Sequence, residues 1–402
     1  MTKSEWLEII YNLSYPASFE ALQKFVINFT PPRNTFIVTV GGTNGKGSTV
    51  TIIEQALVRA GISVVTNTSP HVKEYNERVR IDGTPLSDEF LVEGLEFITA
   101  LVKQKEYNLS FPQYAFLLAC YMVQKYQPKV LLLEVGLGGI LDPSNTLDAD
   151  MAVITNIDID HSHILGATRD EVTINKIGIE RAGKPLIIGD PSPPQKLLDF
   201  LSMRTGQTYL IGQDYHILES NDAQSLHPNN IATAGMALSL LSKEFDLEIP
   251  KPETFIDKIE ILGRCQTIIF SGKKILVDVA HNKQSVQNLT HKLKHLKKTE
   301  IKRISVIFTA METKDIRGMI AYIKPIIDHW HICSVSGIDK RGATTEHLQN
   351  SFTDIEKTTF YGAPKDCFDS VLSSEGKESE LLVVFGSFIL VGEFLNYCDQ
   401  MQ

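Results

Sequence analysis

The stretch GGTNGKGST, Gly41–Thr49, holds the first residues with the means to do chemistry. A glycine-rich turn between a strand and a helix aims successive backbone N–H groups, and the positive end of the helix, at an anion. Gly42, Thr43, Asn44, Gly45, Lys46, Gly47, Ser48 and Thr49 have the composition of such a cradle, with Lys46 to neutralise β/γ-phosphate charge and Ser48 or Thr49 to reach a Mg²⁺. One detail is out of place. The usual phosphate-loop pattern sets Ser or Thr directly after the lysine, and here Gly47 stands between Lys46 and Ser48.

Further polar groups close predicted strands: Ser69 and His71 in TSPH, Glu134 in LLLEVGLGG, and His161 in DIDHSHILG. Mg²⁺ prefers oxygen, few protein ligands and nucleotide phosphates, so a carboxylate and hydroxyls suit it. An acid that ends an apolar run, as Glu134 does, is exposed or paired unless it has a task. His161 alone reads equally well as a hydrogen-bonded strand-end histidine, and the neighbouring Asp160 favours a ligand role. Lys176, in INKIGIERAG, reads on pattern alone as a solvated helix lysine. In the second half, Arg264 in LGRCQ, Asp278 and His281 in VDVAHN, and Lys314 with Asp315 in ETKD again fall at strand ends or turns. Arg264 is placed to follow the charge that develops in phosphate transfer.

The elements that must hold these groups are legible as alternating patterns. TFIVTV is a β-branched run, and STVTIIEQALVRAG has apolar residues at helical spacing with Gly61 as its stop. ISVVTNTSP, PKVLLLEVGLGG, DMAVITNIDIDHS and KPLIIGD read as further strands, with helices in LSDEFLVEGLEFITALVKQ and FPQYAFLLACYMVQKY. The implied fold is α/β, a doubly wound, mostly parallel sheet with ligands at the carboxyl ends of its strands. Polar fragments around 205–228 suggest loops or short antiparallel strands before a helix in NIATAGMALSLLSKEF. The strand pattern then restarts in ILVDVA, RISVIFTA, WHICSVSG and LLVVFGSF, so the boundary is drawn near Gly263, with domains 1–262 and 263–402.

Bulk properties narrow the class. A chain of 402 residues, 43% hydrophobic and 22% charged, implies two globular domains. A formal charge of −9, read as lacking a Lys/Arg block, argues against duplex nucleic acid and for a small-molecule substrate. Five scattered cysteines without a CxxC pair imply a reducing compartment and no zinc site. The start MTKSEWLEIIYNLSYP lacks the pattern of a signal peptide, and no window reaches the ~20 apolar residues of a membrane span, so a cytoplasmic protein is expected.

In order along the chain, GGTNGKGS, TSPH followed by NERVRIDG, EVGLGG with LD and N, the DH before LG, K.GI.R.GKP, GR.Q, DVAHN, KDI, RGAT and GSF..VGE resemble the folylpolyglutamate synthase and dihydrofolate synthase family of the Mur-ligase superfamily. The resemblance spans nearly the whole chain and accounts for Gly47, since that family's loop carries the extra glycine. It implies a P-loop, Mur-ligase-like central domain with a smaller Rossmann-like C-terminal α/β domain. It also implies a ligase in which ATP converts a pteroate or folate carboxylate to an acyl phosphate that the amine of L-glutamate attacks. Residue by residue it assigns Lys46 to the phosphates, Ser48, Ser69, Glu134 and His161 to two Mg²⁺ sites, and Lys176 to carbamylation, with K⁺ as an open further requirement. Asn230, Arg264, Asp278 and His281 complete the nucleotide site, with His281 and Ser387 near the incoming glutamate and Arg78, Arg80 and Gln113 on the substrate side. HVKEYNERVRIDG is expected to form a substrate-contacting loop.

The chain departs from the family pattern at Ile140 (commonly Arg), Gln113 (Glu) and Ile177 (Ala). It also carries YPASFEALQKFVINF in place of a Leu-Gly-Leu-Glu-Arg-like stretch. These positions bear on how a pterin is held, hence on whether dihydropteroate, reduced folates or both are used. A cell-wall Mur-type ligase would need an N-terminal nucleotide domain, and only about 35 residues precede the first strand. A catalytically silent nucleotide-binding protein is the other alternative, opposed by the retained Lys46, Glu134, His161 and Lys176. A monomer is the family expectation.

Overall fold

The computed structural model describes residues 1–13, 17–105, 108–217, 226–352, 355–373 and 379–401. The chain divides into two compact units, Met1–Glu219 with Pro228–Ile259, and Ser220–His227 with Glu260–Gln402. No helix among the described residues is long and apolar enough to cross a membrane.

The first unit is built on an eight-stranded sheet of β1 (Phe36–Gly41), β2 (Val64–Asn67), β3 (Val79–Ile81), β4 (Thr84–Pro85), β5 (Val130–Glu134), β6 (Met151–Ile154), β7 (Leu186–Ile188) and β8 (Thr208–Leu210). Across the sheet the order is β4-β3-β2-β5-β1-β6-β7-β8. β1 lies centrally with parallel neighbours on both sides, which is why its sequence is a β-branched run without alternation: Val38 and Val40 are wholly buried. The helix Phe111–Tyr126 covers one face, burying Tyr114, Phe116 and Leu117 in a core shared with Ile37, Val65, Leu131 and Leu133. The helices Lys46–Arg59 and Pro228–Phe245 pack against each other. Because β1, β2, β5 and β6 run the same way, the segments after Gly41, Asn67, Glu134 and Ile154 all leave the same edge.

Several expectations are corrected here. HVKEYNERVRIDG is not one loop: Val79–Ile81 and Thr84–Pro85 pair antiparallel around Asp82 and Gly83, both at positive φ, as a tight two-residue hairpin requires. Arg80, assigned to substrate, is committed to the fold. Its Nε lies 3.0 and 2.9 Å from the two oxygens of Glu54, whose side chain is 1% exposed, and Nη1 donates to Thr68 Oγ1 at 2.9 Å. Thr208–Leu210 joins the sheet parallel to β7 rather than antiparallel, and residues 218–225 of that polar stretch lie outside the described residues.

The second unit has a six-stranded sheet of β9 (Gln266–Phe270), β10 (Lys273–Asp278), β11 (Arg303–Phe308), β12 (His329–Cys333), β13 (Thr358–Tyr361) and β14 (Glu380–Phe385) in the order β13-β12-β11-β14-β10-β9, parallel except for β9. One face buries Phe308, Trp330, Phe352 and Phe385, with the Phe308 and Phe385 ring centres 5.0 Å apart. The helix Lys283–Thr299 adds Val286, Leu289 and Leu293, spaced at helical period, and turns its lysines outward or to the rim. That helix also corrects the reading of charge. Residues 283–324 hold ten Lys/Arg against three Asp/Glu, a basic stretch inside an acidic chain.

The Arg80–Glu54 pair makes a stability prediction. Arg80→Ala strands a buried carboxylate and is expected to cost ~3–5 kcal/mol, read as a lowered urea midpoint, whereas replacing both residues by Leu restores most of it. A loss within 1 kcal/mol for Arg80→Ala would show the pair to be energetically idle.

Candidate active site

The loop between β1 and the helix Lys46–Arg59 is held from behind. Thr43 N–H donates to Asn156 O at 2.9 Å, Asn44 N–H to Asn156 Oδ1 at 2.8 Å, and the Thr43 hydroxyl exchanges hydrogen bonds with Asp158 O and Asp158 N–H. Thr155 Oγ1 donates to Asn44 O at 2.7 Å. Residues 155–158 therefore shape the loop, a role the sequence reading missed, although they sit where β6 must end beside β1. Gly45 starts the helix at φ +83° with no side-chain cap, so the helix's positive end is left to an external anion. A Cβ at Gly45 would overlap the Asn230 amide, which is how Asn230 comes to lie against the loop. Lys46 arches back, its Nζ 3.1 Å from both Gly42 O and Thr43 O.

Glu134, 6% exposed at the end of β5, accepts from Ser69 N–H at 3.1 Å. A Cβ at Gly47 would lie 3.4 Å from Glu134 Oε2. That is ordinary contact, so a methyl group fits at Gly47 and only a longer side chain would compete with the carboxylate for its place. Ser48 and Thr49 follow in the first helical turn, both buried, Thr49 completely. The loop after Glu134 is fixed by Asp142, whose buried carboxylate accepts from Gly136 N, Leu137 N, Ser144 N and Ser144 Oγ at 2.9, 2.9, 3.0 and 2.6 Å. Burial pushes the Asp142 carboxyl upward against the pull of those donors.

Lys176 is not a solvated lysine. It is 3% exposed, and its Nζ donates to Gly42 O at 2.7 Å. Burial, then the nearby Lys46 cation, lowers its pKa to about 7, while Asp160 and Asp142 pull the other way. Its helix, Arg169–Ile177, is set by the Thr168 cap with its Glu171 box. His161 precedes the short helix Ser162–Leu165 at φ +50°, with Nε2 4.0 Å from Asp160 Oδ1. One region thus gathers the phosphate loop, Ser69, Glu134, Asp142, Lys176 and Asn230. No group of three or more His, Cys, Asp or Glu side chains among the described residues forms a metal cage. One buried carboxylate with hydroxyls beside an anion cradle is instead the donor set for Mg²⁺ shared with nucleotide phosphates, so the residues fit that ion.

A second group lies beyond Ser69. The Phe111 ring packs on Tyr75 at 4.7 Å and on Tyr11 at 5.6 Å, with His71 6.2 Å away. The Arg78 guanidinium lies 5.0 Å from the Phe111 ring centre, and its Nε donates to His71 Nδ1 at 2.8 Å. Burial, then Arg78, holds His71 neutral with its pKa at about 3, which suits an acceptor. Of the residues assigned to substrate, Arg78 belongs to this cluster, whereas Gln113 is 6% exposed and turned to the backbone of residues 17 and 110. Ile140 is 38% exposed on the loop after Glu134.

In the second unit, Asp278 serves as a scaffold. Its carboxylate accepts from Cys265 N–H at 2.8 Å and from Ala280 N–H at 2.7 Å, fixing the turns that carry Arg264 and His281. Both flank one ring: Arg264 lies 5.3 Å and His281 5.6 Å from Phe388. Ser387, 2% exposed, caps the following helix by accepting from Leu390 N–H at 3.0 Å. A hydroxyl so placed orients Phe388 through the backbone.

Comparison with known proteins agrees with this geometry. Residues 263–388 match the family model described as Mur ligase, glutamate ligase domain. The dihydrofolate synthase/folylpolyglutamate synthase of Haemophilus influenzae is 32% identical over 392 residues, covering 89% of this chain and 88% of that protein. That of Escherichia coli K12 is 31% identical, covering 90% and 87%. Among solved structures, E. coli FolC in complex with DHPP and ADP superimposes with a TM-score of 0.87 at 28% identity, covering 100% of this chain and 98% of that one. The bifunctional enzyme of Yersinia pestis complexed with AMPPNP and Mn gives 0.85 at 25% identity, covering 99% and 98%. With relatives this similar over nine-tenths of its length, and a phosphate loop, carboxylate and buried lysine arrayed at one sheet edge, the chain belongs to the dihydrofolate synthase/folylpolyglutamate synthase family.

Proposed function

We propose that this protein is an ATP-dependent ligase that adds L-glutamate to dihydropteroate, to reduced folates, or to both. The observation that carries the reading is the convergence of the phosphate loop, Glu134 and Lys176 on one strand edge. A carboxylate is a poor electrophile. In the first step a carboxylate oxygen of the pterin substrate forms a bond to the γ-phosphorus of ATP as the bond to ADP breaks, leaving an acyl phosphate. In the second, the neutral amine of glutamate forms the amide C–N bond, inorganic phosphate leaves with the C–O electron pair, and the ammonium proton passes to a base or to water.

The open N-terminus of the helix Lys46–Arg59 binds and orients the phosphates, and Lys46, released from Gly42 O and Thr43 O, follows the charge on the transferred group. Glu134, Ser48, Ser69 and His161 would hold Mg²⁺ at two sites, and the ion supplies neutralisation of phosphate charge and polarisation at phosphorus. The exposed Tyr11 ring and the half-buried Phe111 ring suit the flat pterin, with the buried Tyr75 ring and Arg78 guanidinium packed against Phe111 from behind. In the second unit, Arg264 and His281 offer a guanidinium and an imidazole to an anionic ligand such as glutamate, with Asp278 and Ser387 shaping their turns. The reading extends to a monomer acting in the cytoplasm on small molecules.

Lys176 is the modified group in this scheme. An amine with a pKa of about 7 is largely neutral at physiological pH and adds CO₂, releasing a proton and becoming a carbamate whose negative charge suits a divalent cation better than an ammonium does. Uptake of labelled bicarbonate, followed by carbon NMR, should therefore rise with pH through about 7 and vanish in Lys176→Met. In CO₂-free buffer the folded-state pKa lies below the unfolded value near 10.5, so the unfolded chain binds more protons across that window. Stability should then climb with pH between about 7 and 10 and level off below 7, and urea titrations on Lys176→Met should lack the climb.

Incubation with ATP, Mg²⁺ and labelled glutamate, with dihydropteroate in one tube and tetrahydrofolate in another, tests the activity. Label in both pterin products identifies a bifunctional synthase, label in one a single activity, and label in neither with ATP bound a silent homologue. Glu134→Ala and Lys176→Ala should each lower turnover at least ~100-fold. Near-wild-type turnover in either would remove that residue from the scheme.

A further inference from the structure

Two departures from the family pattern meet in space. The segment YPASFEALQKFVINF, which stands where bifunctional members commonly carry a Leu-Gly-Leu-Glu-Arg-like stretch, is fastened over its described residues 17–29 to the helix Phe111–Tyr126 by two glutamine side chains, one at Ala17 and one at Asn28. Gln113 Oε1 accepts from Ala17 N–H at 3.2 Å while its Nε2 donates to Ala17 O at 2.9 Å, so one amide satisfies both backbone groups of that residue. Further along the helix, Gln124 Nε2 donates to Asn28 O at 2.9 Å. Gln113 Oε1 also accepts from Ser110 N–H at 2.8 Å, closing the first turn in which Phe111 stands. The chain that enters residue 17 comes from the helix Lys3–Tyr11, whose Tyr11 ring packs edge-on against Phe111.

This bond set explains why a glutamine is present. Its carbonyl oxygen is required by two N–H donors and its amide N–H by a carbonyl, and an amide of this length offers both whatever the pH, whereas a carboxyl does so only when protonated. An ionised glutamate keeps the acceptor, loses the donor and sets a buried negative charge against Ala17 O. We propose that Gln113 is a positioning residue that couples segment 17–28 to the first turn of the helix Phe111–Tyr126 and thereby sets the Tyr11–Phe111–Tyr75 ring cluster for the pterin. The proposal rests on the pterin reading of that cluster. The two departures are then one feature, since the altered segment needs a clamp that both donates and accepts.

The test uses the intact protein with Gln113→Glu and Gln113→Met. Pteroate affinity is measured by calorimetry at pH 7.5 and 5.5 beside the wild type, with ATP affinity as the control. The clamp requires Gln113→Glu to bind pteroate about tenfold more weakly at pH 7.5 and to return to within about twofold of wild type at pH 5.5, because burial beside Ala17 O raises the pKa of the new carboxyl and lets it hold a proton and donate there. Gln113→Met should be weak at both, and ATP affinity unchanged in each. A purely packing role would give no recovery on acidification. Amide exchange at Ala17 is followed in parallel, because it reports the clamp without any ligand. Faster exchange at Ala17 in Gln113→Met, with no pteroate binding by the wild type, would retain the coupling and refute the pterin reading. Unchanged exchange, or wild-type pteroate affinity in both variants at pH 7.5, would overturn the proposal.

Discussion

The hydrogen bond from the buried amine of Lys176 to the carbonyl of Gly42 joins the three parts of the first unit that matter chemically. Gly42 opens the phosphate loop, Lys176 belongs to the helix behind it, and the backbone of Asn175 and Lys176 leaves room only for hydrogen at Gly139, on the loop that follows Glu134. The interaction carries an electrostatic demand. Two lysine amines, half-buried Lys46 and buried Lys176, share the oxygen of Gly42, and two full positive charges beside each other, one of them removed from water, are costly. Burial and the Lys46 charge lower that cost by making Lys176 a weak base, while the carboxylates of Asp160 and Asp142 offset part of the remaining positive charge and pull the amine back toward its protonated form. The anion cradle, the carboxylate and the lysine are therefore parts of a single charge-balancing problem.

Much of this was legible in the sequence, for identifiable reasons. Central parallel strands must be apolar on both faces, so β1, β5 and β6 stand out as uninterrupted runs, and their ends locate Gly41, Glu134 and the 155–162 loop. Short strands at the margin give no such run. Val79–Ile81 hides within a motif full of charges, and Thr358–Tyr361 is polar at half its positions. Side-chain commitments were harder still. Arg80 and Arg78 stand two residues apart in the same motif, and only the fold turns one onto buried Glu54 and the other onto an aromatic cluster. Lys176 carries no local sign of burial, because its helix is polar and the surfaces that enclose it come from residues 42 and 139. The basic run of 283–324, six of whose Lys/Arg fall within residues 292–303, is hidden by the net charge of −9 that the whole chain carries.

Buried carboxylates illustrate a wider point about motif residues. Asp142 and Asp278 both sit in family signatures, yet each spends its oxygens on backbone N–H groups of adjacent turns. A carboxylate with several such donors is a rigid template. It holds glycine-rich or histidine-bearing loops in shapes that their own propensities would not select. The functional groups are the neighbours so displayed: the loop after Glu134 in one case, Arg264 and His281 in the other.

The edge of the first sheet has a consequence of a different kind. β4 is only two residues long, ends in Pro85, which has no N–H to give, and lies beyond a hairpin that folds the chain away. At the opposite margin β8 has three residues. Neither border offers a long row of open backbone donors and acceptors, so a sheet with a strongly apolar centre has little on which a second copy could add a strand. The hairpin that anchors Arg80 therefore also guards the assembled sheet, and the crowded partly folded states met during synthesis, against cross-chain pairing.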